Sequence, residues 1–202
     1  VSKTPASRQT KNAAAKSEKT KNEKTKAEKA LAIVTKRKTQ KTTKQSGKAA
    51  DPLKVIPIGG LNEIGKNMTL LEYQNDILII DCGISFPDDD MYGIDSVIPD
   101  FTYLVENSSK VKGLILTHGH EDHIGAIPYL LKQISVPIYG TRLTLGLVGN
   151  KLKEHGLKAK MNTINAGDRV KIGVFNIETI RTTHSIADAI CLSIDTPAGR
   201  VF

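Results

Sequence analysis

One short apolar strand running directly into a histidine cluster constrains this chain more than any other feature. Residues 113–117 read Gly-Leu-Ile-Leu-Thr, and residues 118–123 read His-Gly-His-Glu-Asp-His. A strand that ends in a tight loop can aim alternate side chains at one point. His118 and His120, two apart, are then placed to share one metal ion. Asp122 and His123, shifted along the turn, reach a second position beside it. Imidazole and carboxylate together suit zinc and similar divalent ions. Three histidines and an aspartate within six residues are costly to retain as mere core. A fourth histidine, His184, follows a later strand in Arg181-Thr182-Thr183-His184-Ser185. His155, near the end of a predicted helix, is adequately explained by its favourable place in the helix dipole.

The surrounding pattern predicts a layered α/β domain over residues 51–202. Strands are expected at Leu53–Ile58, Met68–Tyr73 and Ile77–Asp81, the last two joined by a Gln74-Asn75-Asp76 turn. Residues 83–100 read as a polar loop, with Asp88, Asp89 and Asp90 solvated. Phe101–Glu106 offers one or two helical turns. A helix is expected after His123 through about Gln133, then a strand at Val136–Tyr139. Residues 141–155 form an amphipathic helix with Leu143, Leu147, Val148 and Leu152 on one face and Gly156 just past its end. Short strands follow at Val170–Ile172, Phe175–Arg181 and Ala189–Asp195. A turn at Thr196–Gly199 leads into a strand beginning at Val201, so the chain reads as an N-terminal piece of a longer protein. Gly59, Gly60 and Gly65 lack the Gly-Lys-Ser/Thr ending of a phosphate loop and are read as a structural turn, with Asn62 and Glu63 helping to position it.

Charge divides the chain in two. Residues 1–50 carry 15 basic and three acidic residues, net +12, while residues 51–202 carry 14 basic and 18 acidic, net −4. The first segment is low in complexity and has only Val1, Leu31, Ile33 and Val34 as large apolar residues. It is expected to be a disordered basic tail, since it has too little apolar surface to offset chain entropy. Its lysines suit electrostatic contact with RNA or ribosomes, without aromatic residues for base stacking. No run approaches the roughly 20 apolar residues of a membrane span, and the N-terminus has no apolar signal core. Cys82 and Cys191, 109 positions apart, read as separate buried thiols in a reducing compartment rather than a disulfide or zinc pair.

His-x-His-x-Asp-His after an apolar strand resembles the signature of the metallo-β-lactamase superfamily. Four blocks narrow the resemblance: IGGLNEIGKNM (58–68), DCGISFPDDDMYGIDSVIPDF (81–101), LTHGHEDHIGAIPYLL (116–131) and RTTHSIADA (181–189). Together they are similar to ribonuclease J, a family of β-CASP nucleases, over essentially all of 52–202. The resemblance implies the N-terminal part of an αββα fold, truncated before the β-CASP insertion. It also implies a cytoplasmic bacterial ribonuclease acting in messenger decay and ribosomal RNA maturation. Such enzymes degrade RNA 5′→3′, prefer a 5′-monophosphate and can cut internally.

Carried over to this sequence, the resemblance assigns His118, His120 and His184 to one metal and Asp122 and His123 to another. Asp81 is expected to stand behind the ligands and orient them. His120 and Asp122 are the residues expected to carry catalysis, Asp122 also as proton acceptor. Two divalent ions are implied: zinc by ligand type, with manganese also compatible. RNA, the ribosome or other RNA-decay proteins are the implied partners, and a homo-oligomer is implied for the full-length protein. A bridging carboxylate and a further histidine ligand are expected beyond Phe202, so the 202-residue chain alone is expected to be inactive. Two other readings stay open. One is a different hydrolase on the same fold, such as a thioesterase of the glyoxalase II type. The other is a non-catalytic RNA- or ribosome-binding module that works through the tail.

Overall fold

A computed structural model describes residues 51–202. The expected disordered tail, residues 1–50, lies outside the described residues.

Two β-sheets stack face to face, with helices over one outer side. The first sheet holds β1 (Lys54–Gly59), β2 (Met68–Tyr73), β3 (Asp76–Ile80), β4 (Val111–Ile115), β5 (Ile138–Gly140) and β6 (Met161–Thr163), in that spatial order. β1, β2 and β3 pair antiparallel, and β3 to β6 pair parallel. Parallel neighbours need crossovers. They are supplied by α1 (Thr102–Glu106), by α2 (Glu121–Ile124) with α3 (Ile127–Leu131), and by α4 (Arg142–Glu154). The second sheet is wholly antiparallel, ordered β10 (Gly199–Val201), β9 (Ile190–Thr196), β8 (Phe175–Arg181), β7 (Arg169–Ile172).

Alternation along the central strands creates two cores. Leu70, Ile77, Ile79 and Leu114 face the helices and pack with Leu104, Ile127, Leu130 and Val148. Their neighbours Leu71, Leu78 and Ile115 face the second sheet and pack with Phe175, Ile177, Ile190 and Ile194. β2, β3 and β4 are therefore apolar on both faces, as strands sandwiched between layers must be. Among the described residues the helices, first sheet and second sheet form three layers of the expected αββα arrangement.

Three local expectations are corrected. The helix after His123 is two helices, because Pro128 in the first turn of α3 has no N–H to continue the ladder from α2. The buried side of α4 is Thr144, Leu145, Val148 and Leu152, while Leu143 is 38% exposed. Thr144 is buried because its hydroxyl pairs with that of Thr141 at 3.0 Å. A polar residue thus occupies the core side and shifts the apparent face. β6 has no counterpart in the sequence reading: its three residues run exposed, half-buried, exposed and carry no alternation signal.

The expectation of two buried thiols holds for Cys82, which is fully buried, but not for Cys191, which is half-buried; both are free thiols. Asp88, Asp89 and Asp90 are exposed. No helix among the described residues is long and apolar enough to cross a membrane.

Candidate metal centre

Backbone topology brings the site together at the carboxyl ends of β3 and β4 and just beyond the end of β8, where open α/β sheets form clefts. After Ile80 the chain turns at Asp81, which has φ of 59°, a left-handed conformation that aspartate tolerates better than most residues. Its N–H donates to the carbonyl of Ile115 at 3.0 Å, which fixes the turn against β4. The Asp81 carboxylate is then held inside the fold, 5% exposed. Oδ1 accepts the Thr117 N–H at 2.8 Å. Oδ2 accepts the Thr117 hydroxyl at 2.7 Å and lies 2.8 Å from His123 Nδ1.

These contacts settle two tautomers. A carboxylate only accepts, so His123 donates from Nδ1, and in the neutral ring its Nε2 carries a lone pair. The Thr117 hydroxyl has spent its proton on Asp81, so at 2.9 Å it accepts from His118 Nδ1. His118 Nε2 is therefore also a lone pair. One buried carboxylate sets both rings with Nε2 free for a cation, the usual task of an acceptor behind a metal-binding histidine.

His118 Nε2 faces His120 Nδ1 at 3.1 Å and His184 Nε2 at 3.1 Å. One ligand atom from each ring lies within 4.8 Å of the others. Two ligands about 2.0–2.1 Å from a tetrahedral zinc sit about 3.3 Å apart, so this spacing fits one ion. A lone pair meeting two further ring nitrogens is also poorly served by protein alone, and a cation among them satisfies all three. Burial pushes His118 down to about 4, helped by repulsion from His123, His184 and His120 and opposed by Asp81. The ring is neutral near pH 7, the form that ligates.

Asp122 and His123 stand beside this trio as a separate pair, Oδ2 to Nε2 3.4 Å. The His118 and His123 ring centroids are 4.0 Å apart. Burial opposes protonation of His123, but the hydrogen bond to Asp81 and the charges of Asp81 and Asp122 outweigh it and raise its pKa. The ligand loop is stitched to residues 82–84 through the main chain. Cys82 N–H donates to His123 O at 2.7 Å, Ile84 N–H to Glu121 O at 3.1 Å, and Ala126 N–H to Cys82 O at 3.0 Å. Gly83 runs so close that an added Cβ would lie 1.6 Å from Asp122 O. Gly119 packs against α4, where a Cβ would meet Leu147 at 2.6 Å. Gly125 is similarly tight, with an added Cβ 2.7 Å from Ile84 Cγ1.

Two clefts reach the site. An apolar groove of about 520 Å³ between the sheets is bordered by Thr117, His118 and His184 together with Leu71, Ile80 and Leu192. A smaller cleft of about 300 Å³ opens beside His123 and Asp81, walled by Gly59, Gly60 and Asn67. The 59–65 segment is a turn in which Glu63 accepts the Gly60 N–H at 3.0 Å. Asn62 takes φ of 59° there. All six sequence-selected residues, Asp81, His118, His120, Asp122, His123 and His184, lie at this one place. Thr117, Gly83 and Asn67 were not individually identified as site residues from sequence. Each is a common small or polar residue whose role comes from a neighbour distant in the chain.

Comparison with known proteins agrees with this geometry. Residues 61–195 match the family profile described as the metallo-beta-lactamase superfamily. The chain is 52% identical over 153 residues to a protein named ribonuclease J from Synechocystis, covering 74% of this chain and 24% of that protein. It is 50% identical over 149 residues to ribonuclease J 1 of Streptococcus pyogenes, covering 73% and 27% respectively. The chain thus spans about a quarter of the length of these curated relatives. A crystal structure of a protein of unknown function from Enterococcus faecalis shares the fold, with a TM-score of 0.57 and 18% identity, covering 72% of this chain and 41% of that one. With an α-on-β-on-β architecture, a histidine trio at the strand ends and a family match across most of the described residues, this chain is a ribonuclease J homologue and belongs to the metallo-β-lactamase superfamily.

Proposed function

We propose that this chain is the metal-binding part of a ribonuclease that hydrolyses RNA phosphodiesters from the 5′ end, with internal cutting as a second activity. The observation that carries this reading is identity of about one half, over about three-quarters of the chain, to proteins named ribonuclease J. His118, His120 and His184 are assigned one divalent ion, and Asp122 and His123 part of the shell of a second. Zinc suits this nitrogen-rich donor set, and manganese is compatible with it. When bound, such ions supply Lewis acidity and lower the pKa of a water nucleophile.

The chain's own residues do the positioning. Asp81 holds His123 directly and His118 through Thr117, which keeps both Nε2 atoms in ligating form. Asp122, partly exposed beside His123, is the candidate acceptor for the proton of the attacking water. The substrate is RNA, with a 5′-monophosphate preferred. The basic segment 1–50 supplies electrostatic attraction that the acidic remainder of the chain lacks. The setting is the bacterial cytoplasm, in messenger decay and ribosomal RNA maturation, with the full-length protein forming homo-oligomers.

The test uses the full-length gene product with 3′-labelled RNA bearing a 5′-monophosphate or a 5′-triphosphate, and His120→Ala as control. Metal-dependent loss of the monophosphate substrate from its 5′ end, absent in the variant, is expected. Activity of His120→Ala within threefold of wild type would remove this site from catalysis. No RNA cleavage by either form would favour another hydrolase on this fold.

A further inference from the structure

Asn67 lies just before β2, 55 residues from Asp122 in sequence, yet its side chain sits on the Asp122–His123 pair. Its Nδ2 is 3.0 Å from Asp122 Oδ2, 3.1 Å from the Asp122 carbonyl and 3.2 Å from His123 Nε2. The carboxylate and carbonyl oxygens accept, and with Nδ1 donating to Asp81 the neutral His123 ring accepts at Nε2 as well. The side-chain atom that meets three acceptors must be the NH₂. The partial positive charge of the amide therefore lies against both atoms that would ligate a second cation. Its Oδ1 is turned toward Gly60, where an added Cβ would stand 2.8 Å from it.

From this geometry we infer that Asn67 is a positioning residue for the second metal. It holds the Asp122 carboxylate by Oδ2 and keeps it beside His123 Nε2, with the two ligand atoms 3.4 Å apart. That separation is close to the roughly 3.3 Å expected for two ligands on one tetrahedral zinc. A bound cation would replace the amide at Nε2, while the bond to Asp122 Oδ2 would remain and leave that oxygen's second lone pair for the cation. Main-chain bonds of Asn67, from its N–H to Asp122 O at 3.0 Å and to its carbonyl from Gly83 N–H at 3.1 Å, do not depend on the side chain. Side-chain variants therefore retain the loop.

This inference rests on the two-metal reading, and one titration separates the two. Metal-free full-length protein is titrated with zinc against a chromophoric chelator, and the visible spectrum is followed in parallel with cobalt(II). Wild type should take up two equivalents. Asn67→Ala should bind the first within threefold of wild type and the second ten- to a hundredfold more weakly, the usual effect of losing a hydrogen bond behind a ligand. Asn67→Leu, which restores volume but no donor, should behave like Asn67→Ala, with the cobalt spectrum of the second equivalent altered in both. Two tight equivalents in Asn67→Ala, equal weakening of both, or recovery in Asn67→Leu would each overturn the positioning role. A single equivalent in wild type would instead overturn the two-metal reading, and this role with it.

Discussion

Replacing Gly83 with alanine should displace the ligand loop rather than merely crowd it. The new Cβ would lie 1.6 Å from Asp122 O, 2.0 Å from its carbonyl carbon and 2.6 Å from His123 N. All three are backbone atoms, so no rotamer change relieves the clash. Ordinary contact begins at about 3.4 Å, so the loop after β3 and α2 must part by roughly 1.8 Å. Hydrogen bonds of 2.7 Å and 3.1 Å across that seam, from Cys82 to His123 and from Ile84 to Glu121, cannot survive such a shift. Each buried group left unpaired costs about 1–3 kcal/mol, so two lost bonds predict a loss of about 4 kcal/mol. At about 2–4 °C per kcal/mol for a domain of this size, the metal-free Tm should fall by roughly 8–16 °C. Zinc affinity should fall with it. The assay is thermal unfolding by circular dichroism, with Gly146→Ala as control. Gly146 lies inside α4 with nothing within 4 Å of its would-be Cβ, so that change should stabilise by about 1 kcal/mol. A Gly83→Ala chain melting within 2 °C of wild type, with undiminished zinc binding, would refute the reasoning.

Asp81→Asn keeps the size of the side chain and suits the left-handed backbone, but an amide cannot accept at both ends. His123 or Thr117 then loses its partner, and zinc affinity should drop ten- to a hundredfold in a competition titration; unchanged affinity would break the proposed wiring. Metal-free stability should fall with acid between about pH 6.5 and pH 4. His118 sits at about 4 in the fold and near 6.5 when unfolded, so in that window the unfolded chain binds the extra proton. The full penalty from this ring is about 3 kcal/mol below pH 4. His123 opposes the trend, since its raised pKa favours the protonated fold as pH falls. Chelator-treated protein unfolded in urea from pH 7 to pH 4 should therefore show a slope that His118→Ala reduces; an identical slope in the variant would exclude His118 as its source.

Much of this architecture can be read from the chain because its signals are local. β2, β3 and β8 carry enough apolar residues in a short run to declare themselves, and the candidate ligands cluster in six residues plus His184. α4 shows where local reading fails. Its buried face includes Thr144, which hydropathy places outside, because the compensating hydroxyl of Thr141 is visible only in the folded chain. Pro128 was a legible break that the apolar run around it obscured. β6 follows from the edge of β5 rather than from its own residues. At the site, the candidate ligands announce themselves by type and spacing, whereas the residues that support them do not. Thr117, Gly83 and Asn67 matter through contacts 36, 39 and 55 residues away in the chain, and no periodicity records such distances.

Cys82 stands between Asp81 and Gly83, with its amide on His123 and its carbonyl on Ala126. Thiolate is the strongest zinc ligand a protein offers at such a position, and also the most vulnerable to oxidants. Full burial pushes this thiol well above its usual pKa, and the neighbouring Asp81 charge adds to the effect. It remains protonated and sealed from solvent, and its main chain still does the work of fixing the loop. This position thus gains a cysteine's compact volume without its redox chemistry.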